Sequence, residues 1–306
     1  MKEKLKNILI KHTPYYLLEV IKLWKKNKRR NYLEKQKTSK KNITSEQLII
    51  DLQKLGLKLG DSVLVHSSMS KIGYLENGPS TLINAIEKVI GNNGTLLMPA
   101  FPATGRNSTY LKNNPVFDYH KTKSKMGAIS EYFRLLPNIK RSLHPTDSVC
   151  ALGPLAEYFT NTHFNQITPY NEFSPFRKLC NKDGKILMLG TTLNGACTNL
   201  HTLEDAIPFK YPVYDNKILD VELIDENGYH FTVQTKVHNP VYSAKRNCDA
   251  LKPIFEKEKI LTNGIIGEAN SMLIDASAML EVMIKYYHEY GVTMYTPYGE
   301  NGQLKN

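Results

Sequence analysis

From Val63 to Val65 the apolar positions run without interruption, reach His66, and then give way to Ser67, Ser68, Ser70 and Gly73. An unbroken β-favouring run that breaks into small hydroxyl residues is a buried strand ending in a loop. After Pro79 the apolar positions Leu82, Ile83, Ile86, Val89 and Ile90 recur at helical period, with Ser80 or Thr81 available as N-cap. A second buried strand is predicted from Gly94 to Phe101, following a Gly-Asn-Asn-Gly turn. Strand, helix and strand in this order predict a parallel pair joined by a right-handed crossover. The loop between the first strand and its helix is where α/β proteins bind anions, although any such unit has a loop there.

The same reading carries along the chain. Thr44-Ser45-Glu46-Gln47 signals a helix start, continued by Leu48, Ile49, Leu52 and Leu55 up to Gly56. Further helices are predicted over Met126 to Leu136, from Ser174 with Pro175 in the first turn, and over Ile274 to Tyr287. Val149 to Leu152 and Lys185 to Leu189 are short buried strands, and Ile218 to Ile224 with Phe231 to Val237 form a β-hairpin around Asn227-Gly228. Pro102 to Lys125 shows no period and predicts a long irregular loop, of the kind that is functional or mobile.

Charge changes the picture only at one end. The formal net charge is +11, but residues 1 to 42 hold 14 Lys/Arg against 3 Glu, while the remainder holds 26 of each sign. The body is neutral, and the basic character belongs to an N-terminal extension (1–42) ahead of one domain (43–306). In the extension Leu17, Leu18, Ile21 and Trp24 are helically spaced and lead into Lys25-Lys26-Asn27-Lys28-Arg29-Arg30. This suits either peripheral contact with an anionic membrane or a helix packed on the body with a solvated basic end; the shortness of the stripe favours the second. Tyr15, Tyr16 and Trp24 make no base-stacking motif, so nucleic acid is not an expected partner. No run is long enough to span a bilayer, and the four cysteines lack CxxC spacing, which predicts a reducing, cytoplasmic setting and no structural metal.

Three histidines sit at strand ends or loops. His66 closes the first strand, His144 precedes Pro145 and is pushed out of helix space, and His201 lies in Cys197-Thr198-Asn199-Leu200-His201-Thr202-Leu203-Glu204-Asp205. If that last segment is helical, Glu204 and Asp205 are three and four residues on, within reach of the imidazole. Taken one at a time, each histidine is more often a satisfied structural ring than a functional one. Cys197 near His201 suggests a thiol with its base, but nothing marks it as low in pKa.

The segments Leu64 to Gly73, Gly94 to Pro99, Ser124 to Glu131, Arg141-Ser142 with His144-Pro145 and Ser148, Ser174-Pro175 with Asp183-Gly184, and Thr198 with Leu200-His201 and Glu204 resemble, in order, the aminoglycoside 3-N-acetyltransferase family. The resemblance spans roughly residues 43 to 290. It implies a single mixed α/β domain with a central, largely parallel sheet flanked by helices plus the hairpin, distinct from the common acetyltransferase (GNAT) fold. It also implies a CoA-dependent N-acyltransferase using acetyl-CoA or another short acyl-CoA, with no metal. His144 is then the expected base, with His201 and Glu204 completing the catalytic set. His66, Ser67, Ser68, Met69, Ser70, Ser124, Met126 and Gly127 are expected against the cofactor, and Asn194, Thr198, His201 and Glu204 against the acceptor. The chain departs from the family where an Asp-Ser-Asn-Thr run is usual, having Leu193-Asn194-Gly195-Ala196-Cys197-Thr198. The loss of an acidic acceptor contact and the neutral body point to a nucleotide-linked amino sugar of surface-polysaccharide synthesis. The alternatives are an aminoglycoside acceptor, as in antibiotic resistance, and, from another class, a non-catalytic scaffold on a membrane surface.

Overall fold

The computed structural model describes residues 15–39 and 42–304. Among the described residues ten strands build two sheets. β1 (Ser62–Ser67), β2 (Thr95–Pro99), β4 (Lys140–Arg141), β5 (Val149–Leu152), β6 (Lys185–Leu189), β9 (Leu261–Ile266) and β10 (Ala269–Asp275) form the large one, in the order β4-β5-β2-β1-β6-β10-β9. The predicted crossover is present: β1 pairs in parallel with β2 on one side and with β6 on the other. Beyond these three strands both flanks are antiparallel, β5 on β2 and β10 on β6. The parallel part is therefore the centre of the sheet.

Period-two alternation with both faces covered explains why the central strands carry no polar face. Leu64, Ile186 and Met188 point to one side, under the helices Ala156–Thr160, Pro175–Cys180 and Ala276–Tyr290. Val63, Val65, Leu187 and Leu189 point to the other, under Ser45–Leu55, Pro79–Ile90 and Ala128–Arg134. Thr44 caps the first of these by accepting from the Gln47 N–H, as expected. The helix Pro79–Ile90 starts two residues earlier than a cap at Ser80 would place it, and three earlier than one at Thr81. Gly78 is its N-cap and Pro79 its first residue, because proline's fixed φ and missing N–H suit that position.

The remaining differences lie where local pattern is weak. The loop after β1 contains a helical turn, Met69–Ile72, and the stretch expected to be irregular holds a helix, Asn107–Asn113, and β3 (Val116–Asp118). β3 pairs with β7 (Leu219–Ile224), the first arm of the predicted hairpin, whose second arm is β8 (His230–Thr235). This small sheet has its own core around Phe117, Leu223 and Val233. Arg141 ties it to the large sheet: its buried guanidinium lies 4.6 Å from the Phe117 ring and donates to the carbonyls of Tyr119, Thr122 and Ala100. Ile274, expected to open the last helix, instead belongs to β10, and Asp275 caps the helix through the Ala278 N–H.

Of the extension, the helix Tyr15–Thr38 is described, while its first 14 residues lie outside the described part. Its second half rests on the body, where Arg29 and Tyr32 each reach a carboxylate oxygen of Glu268 at 2.8 Å. The Gln36 side-chain carbonyl accepts from the Tyr74 N–H.

Gly153 follows β5 with φ +126°, and a Cβ there would lie 2.4 Å from the Gly94 carbonyl oxygen. Gly153→Ala is therefore expected to cost about 2 kcal/mol or more, seen as a lowered urea midpoint with unchanged m. An unchanged midpoint would show that the β5 edge yields freely.

Candidate active site

The carboxyl ends of β1 and β6 open into a cleft of about 990 Å³. Its walls come from separate parts of the chain: His66 and Ser67 from β1, Met126 and Gly127 ahead of a helix, Asp147 ahead of β5, and Asn194 to Thr198 and His201 after β6. His238, Ser243 and Arg246, which follow the hairpin, complete it.

The segment carrying His201 is a 3-10 turn, Thr198–His201, running into a short α-helix, Thr202–Ala206. The i,i+3 spacing brings His201 Nδ1 to 3.0 Å from Glu204 Oε1. Asp205, also within reach by spacing, turns away and accepts from the Tyr214 hydroxyl at 3.0 Å. The other oxygen of Glu204 lies 2.6 Å from His238 Nε2, and the Tyr295 hydroxyl donates to Oε1. Burial would raise the Glu204 pKa, but the two imidazoles outweigh it and hold the carboxyl well below its usual range. Arg246 can only donate, so Nε2 of His201, 3.5 Å from Arg246 Nη1, accepts and the proton sits on Nδ1, near the carboxylate but not aligned for a hydrogen bond to it. Burial lowers His201 to about 4, so the ring is neutral at physiological pH and its Nε2 lone pair meets only the long contact from Arg246.

His201, Glu204 and His238 are also the group among the described residues with the composition of a metal site, with ligand atoms within 4.8 Å of one another. Tetrahedral zinc with bonds of about 2.0 Å holds its ligands about 3.3 Å apart. In the structure two of these atoms, His238 Nε2 and Glu204 Oε2, lie 2.6 Å apart in a direct hydrogen bond.

The expected acceptor residues Asn194, Thr198 and His201 line the cleft, with Glu204 directly behind them. Of the expected cofactor residues, His66, Ser67, Met126 and Gly127 line it, whereas Ser68, Met69, Ser70 and Ser124 do not. The Ser68 N–H donates to the Leu189 carbonyl, and the Ser70 carbonyl accepts from Arg29. Ser124 Oγ accepts from the Met126 N–H, shaping that loop from within. Asn194 holds structure: its Oδ1 accepts from the backbone N–H groups of Cys248 and Asp249.

His144 is not in the cleft. It is fully buried and stacks on His163 with ring centres 4.6 Å apart, and burial pushes its pKa well down. Its Nδ1 accepts from the Asp147 N–H at 3.2 Å. It thereby positions Asp147, which does reach the cleft and accepts from the Tyr170 hydroxyl at 2.8 Å. Cys197 is buried and its thiol is pushed up, so no thiolate stands beside His201. The residues the sequence did not single out are Asp147, Tyr170, His238, Arg246 and Tyr295. Asp147 lies inside a quoted motif; the others sit at separations that carry no periodic signal.

A family model described as aminoglycoside 3-N-acetyltransferase matches residues 64–288. The chain belongs to this family. Aminoglycoside N(3)-acetyltransferase VII of Streptomyces paromomycinus is 33% identical over 267 residues, covering 81% of this chain and 92% of its own length. The prophage-derived aminoglycoside N(3')-acetyltransferase-like protein YokD of Bacillus subtilis is 33% identical over 260 residues, covering 80% of this chain and 92% of itself. Among solved structures, AAC-IIIb in binary complex with CoASH is 29% identical with a TM-score of 0.69, covering 81% of this chain and 97% of its own. AAC-VIa bound to sisomicin is 25% identical with a TM-score of 0.68, covering 81% and 98%. As a family member the chain is a CoA-dependent N-acyltransferase with acetyl-CoA as co-substrate, which sets aside the non-catalytic scaffold. No described helix is long and apolar enough to cross a membrane.

Four buried imidazoles set the acid limit of this fold. Burial holds His66 and His163 down to about 3 and His201 to about 4, with His144 also well down. Below about pH 6.5 the unfolded chain protonates these rings and the folded one does not, so stability is lost as pH falls from there toward 4. Each ring contributes about 1.4 kcal/mol per pH unit, opposed in part by Asp147 and Asp205, whose carboxyls are raised by burial. Urea titrations between pH 7 and 5 should show a net uptake of roughly two to four protons on unfolding. An uptake near zero would mean that the rings are charged in the folded state.

Proposed function

We propose that the chain transfers the acetyl group of acetyl-CoA directly to an amine of an aminoglycoside, with His201 as general base. The observation that carries this reading is the His201–Glu204 pair: a neutral imidazole at the cleft wall, with Nδ1 beside a carboxylate and Nε2 held only by a 3.5 Å contact from Arg246, itself a cleft residue. The amine nitrogen attacks the thioester carbonyl and passes its proton to Nε2. The C–S bond breaks and the CoA sulfur leaves with a proton returned from the imidazolium. Glu204 stabilises that imidazolium, and His238 and Tyr295 fix the carboxylate in turn. Arg246 is placed to offset charge on the carbonyl oxygen. Arg106 and Lys125, exposed on the cleft wall beside Met126 and Gly127, suit the CoA phosphates.

Aminoglycosides are favoured as acceptors because the relatives are aminoglycoside acetyltransferases by name and one solved neighbour is bound to sisomicin. The nucleotide-linked amino sugar has no such support. A thiol-release assay with acetyl-CoA against both acceptor classes tests this directly. Turnover confined to nucleotide-linked amino sugars would overturn the acceptor while leaving the base in place.

The base is tested separately. His201→Gln should lower kcat by about 100- to 10,000-fold, whereas His144→Asn, which keeps an acceptor for the Asp147 N–H, should lower it less than about tenfold. The reverse ranking would return the role to His144.

A further inference from the structure

The N-terminal helix uses one face to hold the body and leaves a different face apolar and open. At about 100° per residue, Arg29, Tyr32 and Gln36, which bind Glu268 and the Tyr74 N–H, share one narrow arc. Leu17, Val20, Ile21 and Trp24 share another, turned about a quarter of a circle away. These four side chains are 39%, 56%, 42% and 59% exposed. Packing on the body therefore does not account for the stripe. Continued toward the C-terminus, the same arc presents Lys28 and Lys35, with Lys28 Nζ 5.1 Å from the centre of the Trp24 ring.

We propose that this face docks on an anionic lipid bilayer, the apolar residues entering the acyl boundary and the lysines meeting headgroup phosphates. Charge complementarity selects this occupant. Fourteen of the 40 Lys/Arg lie in the first 42 residues against 3 Glu, while the body they are attached to is neutral. An apolar arc edged by cations matches a lipid interface, whereas a nucleic acid would leave the apolar residues uncovered. A second copy of the same helix would bring like charges together. Because Arg29 also donates to the carbonyls of Ser70 and Lys71, in the turn that follows β1, a docked helix would hold the acyltransferase body close to the membrane. The proposal does not depend on which amine the enzyme acylates.

Trp24 is the sole tryptophan in the chain, so its emission reports this face alone. The full-length protein is titrated with phosphatidylcholine vesicles with and without phosphatidylglycerol, following Trp24 emission and co-sedimentation. The expected result is a blue shift and co-sedimentation with the anionic vesicles only, both reversed by salt. Leu17→Asp with Ile21→Asp, and separately Lys28→Glu with Lys35→Glu, should each weaken partitioning by about tenfold or more. Both variants should keep thiol release with a soluble acceptor within about twofold of the parent, since neither pair belongs to the cleft. Failure to bind anionic vesicles, equal binding to neutral ones, or undiminished binding by the double variants would overturn the proposal. So would a vesicle-free blue shift that grows with protein concentration alongside a doubled mass in light scattering, which would assign the face to a second copy.

Discussion

Glu204 is a carboxylate with no exposed side-chain surface, and the site depends on its being charged. An isolated carboxylate in that position would take up a proton rather than pay the cost of desolvation. It stays charged because His201, His238 and the Tyr295 hydroxyl share its two oxygens. Removing His238 or Tyr295 leaves a buried charge short of a donor, and removing His201 leaves it without a close ring, so these three residues, spread over nearly a hundred positions, are coupled through a single group. The same charge lies beside the proton-bearing Nδ1 of His201, whose other nitrogen meets Arg246.

The fold exists to make that convergence possible. The parallel centre, β2-β1-β6, ends its strands on one side, and the connection after β6 supplies the turn carrying His201 and Glu204. The small sheet then returns the chain to that edge: β8 is followed within three residues by His238, and Tyr295 comes after the last helix. Arg141 matters here as the buried clip between the two sheets. Burial lowers its guanidinium to about 10, which leaves it charged at neutral pH and able to keep its carbonyl partners.

What could be read from the sequence follows from where the signal is local. The strands Val149–Leu152 and Lys185–Leu189, the hairpin, the Thr44 cap and the pairing of His201 with Glu204 all arise within a few residues, and all are present. β9 and β10 were not recognised, because Thr262-Asn263-Gly264 break the apolar pattern of β9 and β10 runs directly into the last helix. β3 has three residues and owes its existence to the partner strand β7. The surroundings of His144 were not legible for a related reason. The proline after it does fix the backbone, but a fixed backbone does not say whether the ring faces solvent or core, and His163, 19 residues on, stacks over it.

The departure at Leu193-Asn194-Gly195-Ala196 can be understood in the same terms. Asn194 does not fill a vacant acceptor position with a weaker ligand; its side chain faces away from that task and stitches its loop to the turn Cys248–Leu251. An acidic residue at that point would offer two acceptors to the same pair of N–H groups, but it would also face Asp249, whose carboxylate already accepts from the Asn194 N–H. The acidity of the cleft lies instead at Asp147, held by Tyr170 on one oxygen and by Thr146 on the other. Burial raises that carboxyl, so an arriving ammonium would be the partner that favours its charged form. A cation brought beside Asp147 and ionisation of its carboxyl would be linked in sign: each would make the other more favourable. The ring of His144, sealed beneath, is what keeps Asp147 in position for it.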